Sequence, residues 1–413
     1  MIVGLDIGTS CIRVVIGDVD ENGNVSVAGT SAVKSEGLRN GVIVNIEAAK
    51  NAIREAIEQA EQNAGITVSS VFTCLGGMQV SSTDSNGAVA IAKNRGNTRE
   101  ITAQDIDRVI DCARAIKIPM DRQLLHIIPQ EFFVDNVSVG INPPIDIMGD
   151  RVVVDVHIIT SSVSTVQNIC SCITRSGYIC NNIMLKTLAA TQAVVHEDEL
   201  DLGSIIIDLG AGTTDVIVFI KGAPVCTASL QVAGNLVTSD ISIVKGISVA
   251  NAEKIKIESG CCWRDGIEVD REVIIPGVGG RAPEATTESE ICDIIQPRMT
   301  EIFEMARSAV MHNSKIKQLS GNIILTGGGA QMRGVVELAQ SVFRTSAVRI
   351  GMPEALGGIE EDYRRPDFAT AVGLIVANKN SEIQNSGKKK KVRNSPQGKK
   401  GESGFSRLIK KYF

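Results

Sequence analysis

The chain has 413 residues, enough for two or three domains and a large buried core. Its 43% apolar and 22% charged residues suit a soluble globular protein, and no apolar run nears the ~18 residues of a membrane-spanning helix. The net charge of −5 is uneven: Lys388–Phe413 holds ten Lys/Arg against one acid, leaving −14 on the rest, which disfavours nucleic acid as the main partner and points the basic end at an anionic surface.

No basic, apolar leader follows Met1, which predicts a cytoplasmic chain. Ile2–Leu5 reads as a buried strand, Asp6–Ser10 as a turn and Ile12–Ile16 as the returning strand of a hairpin. Ala49, Ile53, Ala56, Ile57 and Ala60 share one face of a helix over Ala48–Gln62, stopped by Gly65, and the strand Val71–Leu75 follows. From about Thr83 to Ser162 the texture changes to Gly/Asn-rich loops, a helix near Ala103–Ile116 and strands at Leu124–Ile128 and Val152–Ile159, the pattern of an inserted module. A helix near Val163–Arg175 and a strand near Tyr178–Met184 lead to Ser204–Asp208, where the opening pattern returns: apolar run, Asp-x-Gly, hydroxyl residues, second apolar run at Val216–Ile220. An internal duplication of this kind predicts two similar lobes with a ligand cleft between them. Beyond it, Ile323–Gly334 reads as strand, glycine turn and helix.

The end of the chain divides in two. Asn378 to about Ser403 is rich in Lys, Asn, Ser and Gly and predicts a disordered linker. Phe405, Leu408, Ile409, Tyr412 and Phe413 then fall on one face of a helix, with Arg407, Lys410 and Lys411 beside them, the make-up of an interfacial membrane helix. Ten cysteines without the paired Cys-x2-Cys spacing of a zinc site, and four scattered histidines, predict buried free thiols.

Chemistry concentrates in the glycine turns. Glycine lets the backbone approach an anion, and successive N–H groups with a Thr or Ser hydroxyl can cradle phosphate oxygens. The carboxylates Asp6 and Asp208 would lie near Mg²⁺ and bind it through its waters. The three glycines Gly327, Gly328 and Gly329 leave room for a flat base and sugar, and neither a Walker loop nor a Gly-x-Gly-x-x-Gly fingerprint occurs.

These motifs, in this order, resemble the actin-like ATPase superfamily: Leu5–Ser10 and Asp208–Asp215 as phosphate loops, Leu325–Ala330 as adenosine loop and Asp367–Gly373 as the helix returning between lobes. Within it, Leu125–Glu131, Ala233–Ile241, Ala252–Lys256 and the amphipathic end resemble the FtsA family of bacterial division proteins. The resemblance implies an α/β actin-like fold, a duplicated ribonuclease-H-like core whose first lobe comprises 1–82, 163–196 and 359–378 (1A) with an inserted subdomain at 83–162 (1C). The second lobe would comprise 197–230 and 301–358 (2A) around 231–300 (2B), followed by a linker at 379–403 and the membrane helix at 404–413. It further implies that Asp6, Gly8, Thr9, Ser10, Asp208, Gly210, Gly212, Thr213 and Thr214 surround the phosphates of ATP and Mg²⁺, that Gly234 and Asn235 close the site, and that Glu253 and Lys256 reach the ribose and adenine. Partners implied are the C-terminal peptide of the tubulin-like GTPase FtsZ on 2B, further copies of the chain in a filament, later division proteins on 1C and anionic lipids of the inner membrane. Two positions depart from related patterns: Cys11, where many relatives carry lysine, and Lys186, where DnaK-type chaperones carry a water-orienting carboxylate, so that slow hydrolysis at most is expected. The alternative is a soluble actin-fold ATPase or sugar kinase, for which the sequence offers no catalytic carboxylate placed for a substrate hydroxyl.

Overall fold

The computed structural model describes residues 1–20, 23–92, 98–277, 279–280, 282–312 and 321–387, of which 380–387 by backbone alone. The chain opens with three antiparallel strands, β1 (Ile2–Ile7), β2 (Cys11–Val19) and β3 (Val25–Lys34). Val14, Val15 and Ile16 are fully buried in succession, as a strand covered on both faces requires. Helix α1 (Ile46–Ala64) covers one face with the five residues the periodicity picks out; the Asn45 side chain caps its start and left-handed Gly65 ends it. Strand β4 (Ser70–Leu75) then pairs parallel to β1.

The inserted module follows as β5 (Val80–Ala90), α2 (Ala103–Arg114), β6 (Arg122–Val134), β7 (Val137–Gly140) and β8 (Arg151–Ser162). Its antiparallel sheet, ordered β7-β6-β8-β5, packs on α2 around a core of its own that includes Ile106, Val109, Phe132 and Val154. The stretch from Thr83 expected as loop is corrected here: Val80–Ala90 pairs with β8 along its whole length. Its composition misleads because it is an edge strand with one face open, so Ser81, Thr83, Asp84 and Asn86 stay exposed.

Helix α3 (Val163–Arg175), β9 (Ile179–Leu185) and α4 (Lys186–Val194) complete the first lobe, whose sheet runs β9-β4-β1-β2-β3. The second lobe starts with β10 (Ser204–Leu209), β11 (Thr214–Ile220) and β12 (Ala223–Leu230), continues through α5 (Gly234–Lys245), α6 (Val249–Ser259) and α7 (Glu288–Met311), and closes with β13 (Asn322–Thr326), α8 (Val335–Phe343) and β14 (Val348–Ile350). Its sheet runs β12-β11-β10-β13-β14, so each lobe has three antiparallel strands followed by two parallel ones in the same order. The duplication expected from the repeated Asp-x-Gly pattern is thus a duplication of topology.

Helix α9 (Ala369–Gly387) returns to the first lobe and crosses α4 between the two sheets. A shared core joins Ile2 and Val15 of the first sheet, Leu188, Ala189, Val372 and Leu374 of the two helices, and Ile206 and Ile217 of the second sheet. Gly373 makes the crossing possible, since a Cβ there would lie 1.7 Å from the Ala189 carbonyl oxygen. The polar stretch expected as linker from Asn378 continues as helix to Gly387, because extending a helix nucleated by buried turns costs far less than starting one. The remaining linker and the amphipathic segment 404–413 lie outside the described residues. All ten cysteines are free; six are buried, Cys11, Cys170 and Cys180 partly so, and Cys112 is exposed. Among the described residues no helix is long and apolar enough to cross a membrane.

Candidate functional site

The two Asp-x-Gly hairpins meet face to face at the mouth of the interlobe cleft. Asp6 and Asp208 are the penultimate residues of β1 and β10, and both are buried. A Cβ on Gly212 would stand 2.6 Å from Thr9 Oγ1, so the two turns touch. Thr9 Oγ1 accepts the Gly41 N–H at 2.9 Å, and Gly210 N–H donates to Thr213 O at 3.0 Å, which fixes the two turns locally. The third glycine segment closes over them: Gly327 has φ of +82°, and a Cβ there would fall 2.2 Å from Asp208 Oδ1. Only glycine fits against that carboxylate. Residues Gly328–Gln331 form a 3₁₀ turn, and the helix expected directly after the glycines starts later, at Val335.

Helix α5 abuts the second turn end-on, with Gly234 N–H donating to Gly210 O at 3.1 Å and Asn235 N–H to Ala211 O at 2.8 Å. On α6, Lys256 Nζ stands 2.7 Å from Glu253 Oε2 and donates to Thr238 Oγ1 at 2.9 Å and Gly234 O at 3.3 Å. The cleft encloses about 470 Å³, within the range of small-ligand sites. Every residue singled out in the sequence for the nucleotide and Mg²⁺ lines it except Asn235, whose backbone N–H bonds the second turn. Its apolar lining includes Ile257, Met299, Ile302 and Met332.

Charged residues that the sequence left out or read differently also line the cleft, among them Lys186, Arg13, Arg365 and Asp367. Lys186 Nζ lies 3.0 Å from Asp208 Oδ2. Burial works against its charge, but Asp208, Asp6 and Asp215 outweigh that and hold its pKa above the usual lysine value. Arg13 and Arg365 both pair with Asp367, at 2.8 and 2.6 Å, and both stack on the Phe368 ring. Burial raises the Asp367 pKa, yet its bonds to Arg365 and Arg13 prevail and leave the carboxyl below the ordinary value. Two guanidiniums against one carboxylate leave one positive charge over on this wall. Cys11 sits in the same strand; burial pushes its thiol up, so it stays protonated and adds no charge.

The carboxylate of Asp208 is buried, and among the described residues neither oxygen accepts a hydrogen bond and its one ion pair is with Lys186. Among the described residues Asp6 accepts only the long bond from Cys74 Sγ, at 3.5 Å. Under-bonded carboxylates beside anion-cradling turns are the donor set that a hydrated Mg²⁺ prefers, so the residues fit that ion.

The family model described as "Cell division protein FtsA" matches residues 205–373, and the one described as "SHS2 domain inserted in FTSA" matches 77–160. The chain is 41% identical over 377 residues to a curated cell division protein FtsA of Borreliella burgdorferi, covering 91% of this chain and 90% of that one. Among solved structures it resembles a chain of the PilM–PilN type IV pilus biogenesis complex, with a TM-score of 0.65 at 17% identity over 92% of this chain and 98% of that one. It also resembles MreB 5 of Spiroplasma citri bound to AMPPNP, with a TM-score of 0.51 at 15% identity over 94% of this chain and 98% of that one. At those identities the two structures speak to the fold, which is actin-like.

Proposed function

Since the chain belongs to the FtsA family of cell division proteins, we propose that it binds ATP with Mg²⁺ between its lobes, polymerises on the cytoplasmic face of the inner membrane and holds the FtsZ ring there. The observation that carries the nucleotide reading is the contact of the two glycine turns beside a cleft of about 470 Å³, lined both by those turns and by apolar side chains such as Met299 and Met332. Phosphates would lie on Gly8–Ser10 and Gly210–Thr214, the ribose and base between Lys256, Glu253 and the 327–329 turn. Asp6 and Asp208 would hold Mg²⁺ through water, and the bound ion would neutralise phosphate charge. Arg13 would supply the cation that Cys11 does not. Lys186, already committed to Asp208, cannot take a proton from water, which supports slow hydrolysis.

Equilibrium dialysis with ATP and Mg²⁺ tests this. Wild type should bind, and Asp208→Asn or removal of Mg²⁺ should weaken binding about tenfold or more, the loss of one charge-assisted interaction. Failure of the wild type to bind would end the nucleotide reading, and a fast single-turnover rate would end the slow-hydrolysis part of it.

The FtsZ reading is supported by a groove of about 400 Å³ between α5 and α7, within the region assigned to 2B. Ile243 and Val244 stand exposed along it, beside a bidentate Arg298–Asp240 pair at 2.7 and 3.1 Å. Apolar anchors flanked by charges of both signs suit a short peptide segment. Ile243→Lys should abolish binding of an FtsZ C-terminal peptide in fluorescence anisotropy without lowering the affinity for ATP. The inserted domain would meet later division proteins and neighbouring copies.

A further inference from the structure

We infer that Asp215 couples the second glycine turn to the inserted domain, so that occupation of the cleft is felt in the sheet of that domain. Asp215 is 3% exposed and is not part of the cleft wall; it faces Asp208 across the β10–β11 hairpin. It gathers three donors from three parts of the molecule. Thr213 Oγ1, on the turn, donates at 2.9 Å. The backbone N–H of Gly77, the first residue matched by the inserted-domain model, donates at 2.9 Å, and Ser229 Oγ of β12 donates as well. One carboxylate therefore separates the turn from the residue where the inserted domain begins.

The same domain grips the second lobe again further along β12. Ser82 Oγ donates to Thr227 O at 3.3 Å and Gln130 Nε2 to Pro224 O at 2.7 Å. His157, 2% exposed, spans Asp84 Oδ1 at 2.8 Å and Thr227 Oγ1 at 3.1 Å. Between Pro224 and Ser229 the second lobe is thus bonded to three strands of a domain that belongs, by chain order, to the first lobe.

The switch is a competition for one proton. Thr213 lines the cleft, and its hydroxyl has a single hydrogen, now given to Asp215. An anion on the turn offers a second acceptor. When the hydroxyl turns to it, Asp215 loses a donor while buried, and its bonds to Gly77 and Ser229 must tighten or rearrange. That displacement enters β5 three residues after Gly77.

The inference rests on the nucleotide reading, and hydrogen exchange of the full chain tests it separately. ATP with Mg²⁺ should change amide exchange in residues 80–90 about fivefold in wild type, the scale of a modest coupling. Asp215→Asn should lose that response when compared with wild type at equal occupancy of the cleft, set from affinities measured by dialysis. Thr227→Val, nearly isosteric and far from the turn, should blunt it without disturbing the fold. If wild type binds ATP with no change in β5, or if both variants respond as wild type does, the inference is wrong and the nucleotide reading stands. If wild type does not bind ATP, both fall.

Discussion

Lys186 carries one positive charge among three buried carboxylates, Asp208, Asp6 and Asp215, and its side chain is only 17% exposed. Replacing it with Met leaves those charges uncompensated, and loss of one partner of a buried pair typically costs 3–5 kcal/mol, so Lys186→Met should lower stability by about 3 kcal/mol. A urea midpoint unchanged from wild type would show that water already compensates them. Arg13 is the second residue to test. Arg13→Ala should raise the ATP dissociation constant about tenfold, whereas Arg13→Lys should recover part of the loss, since charge matters more here than the fork of the guanidinium. An affinity equal to wild type would place the phosphates elsewhere. The sequence draws the eye to Cys11 and passes over Arg13, although residues two apart in a strand share a face. The signal was in the alternation of β2; what could not be read was that Arg365, from 352 residues later, would arrive beside it through Asp367. Glycine turns, in contrast, are legible because close backbone approach admits only glycine, as at Gly212 against Thr9 and Gly327 against Asp208.

At the scale of elements, His126 shows how a junction can carry a pH dependence. It lies on β6, is buried, and its Nε2 accepts the Leu185 N–H of β9 at 2.9 Å, joining the inserted domain to the first lobe. Burial pushes its pKa well below the ordinary histidine value. The unfolded chain takes up a proton near pH 6.5 and the native one does not, so this contribution to stability is complete above about pH 6.5 and is lost as the pH falls below it. Between pH 7.5 and 5.5 the urea midpoint of wild type should drop, and His126→Gln, which keeps an acceptor and cannot titrate, should flatten that drop. Equal slopes for the two proteins would assign the dependence to other groups. Elements with a single buried face, such as α1, were readable to within two residues at each end. Edge strand β5 was not, because half its side chains face water and its order comes from pairing with β8. The α4–α9 crossing was hidden too, since a lone glycine in a helix reads as a defect until its neighbour, Ala189, is known.

The whole molecule joins an acidic two-lobed body to a basic end, and the two halves answer to different surfaces. The body presents the cleft and the α5–α7 groove; the end carries Phe405, Leu408, Ile409, Tyr412 and Phe413 at helical spacing in the sequence, with Lys388–Lys391 before them. Ten residues cannot hold a helix alone in water, so under the proposed membrane role an apolar surface would have to supply the folding free energy. Anionic lipid adds about 1 kcal/mol for each basic residue close to it. A single anchor of this kind binds weakly and reversibly, but copies arrayed along a filament dissociate only together, so membrane affinity should rise with polymerisation. Sedimentation with anionic liposomes separates these terms. The full chain should pellet and a chain ending at Ser403 should stay in solution. Salt at about 0.5 M should weaken the pelleting, since screening removes the lipid attraction and leaves the apolar contact. ATP should strengthen it if the nucleotide promotes filaments, and should leave the truncated chain in solution. Pelleting of both chains, or of neither, would end the membrane role of the terminal segment and bring the soluble actin-fold ATPase alternative to the front.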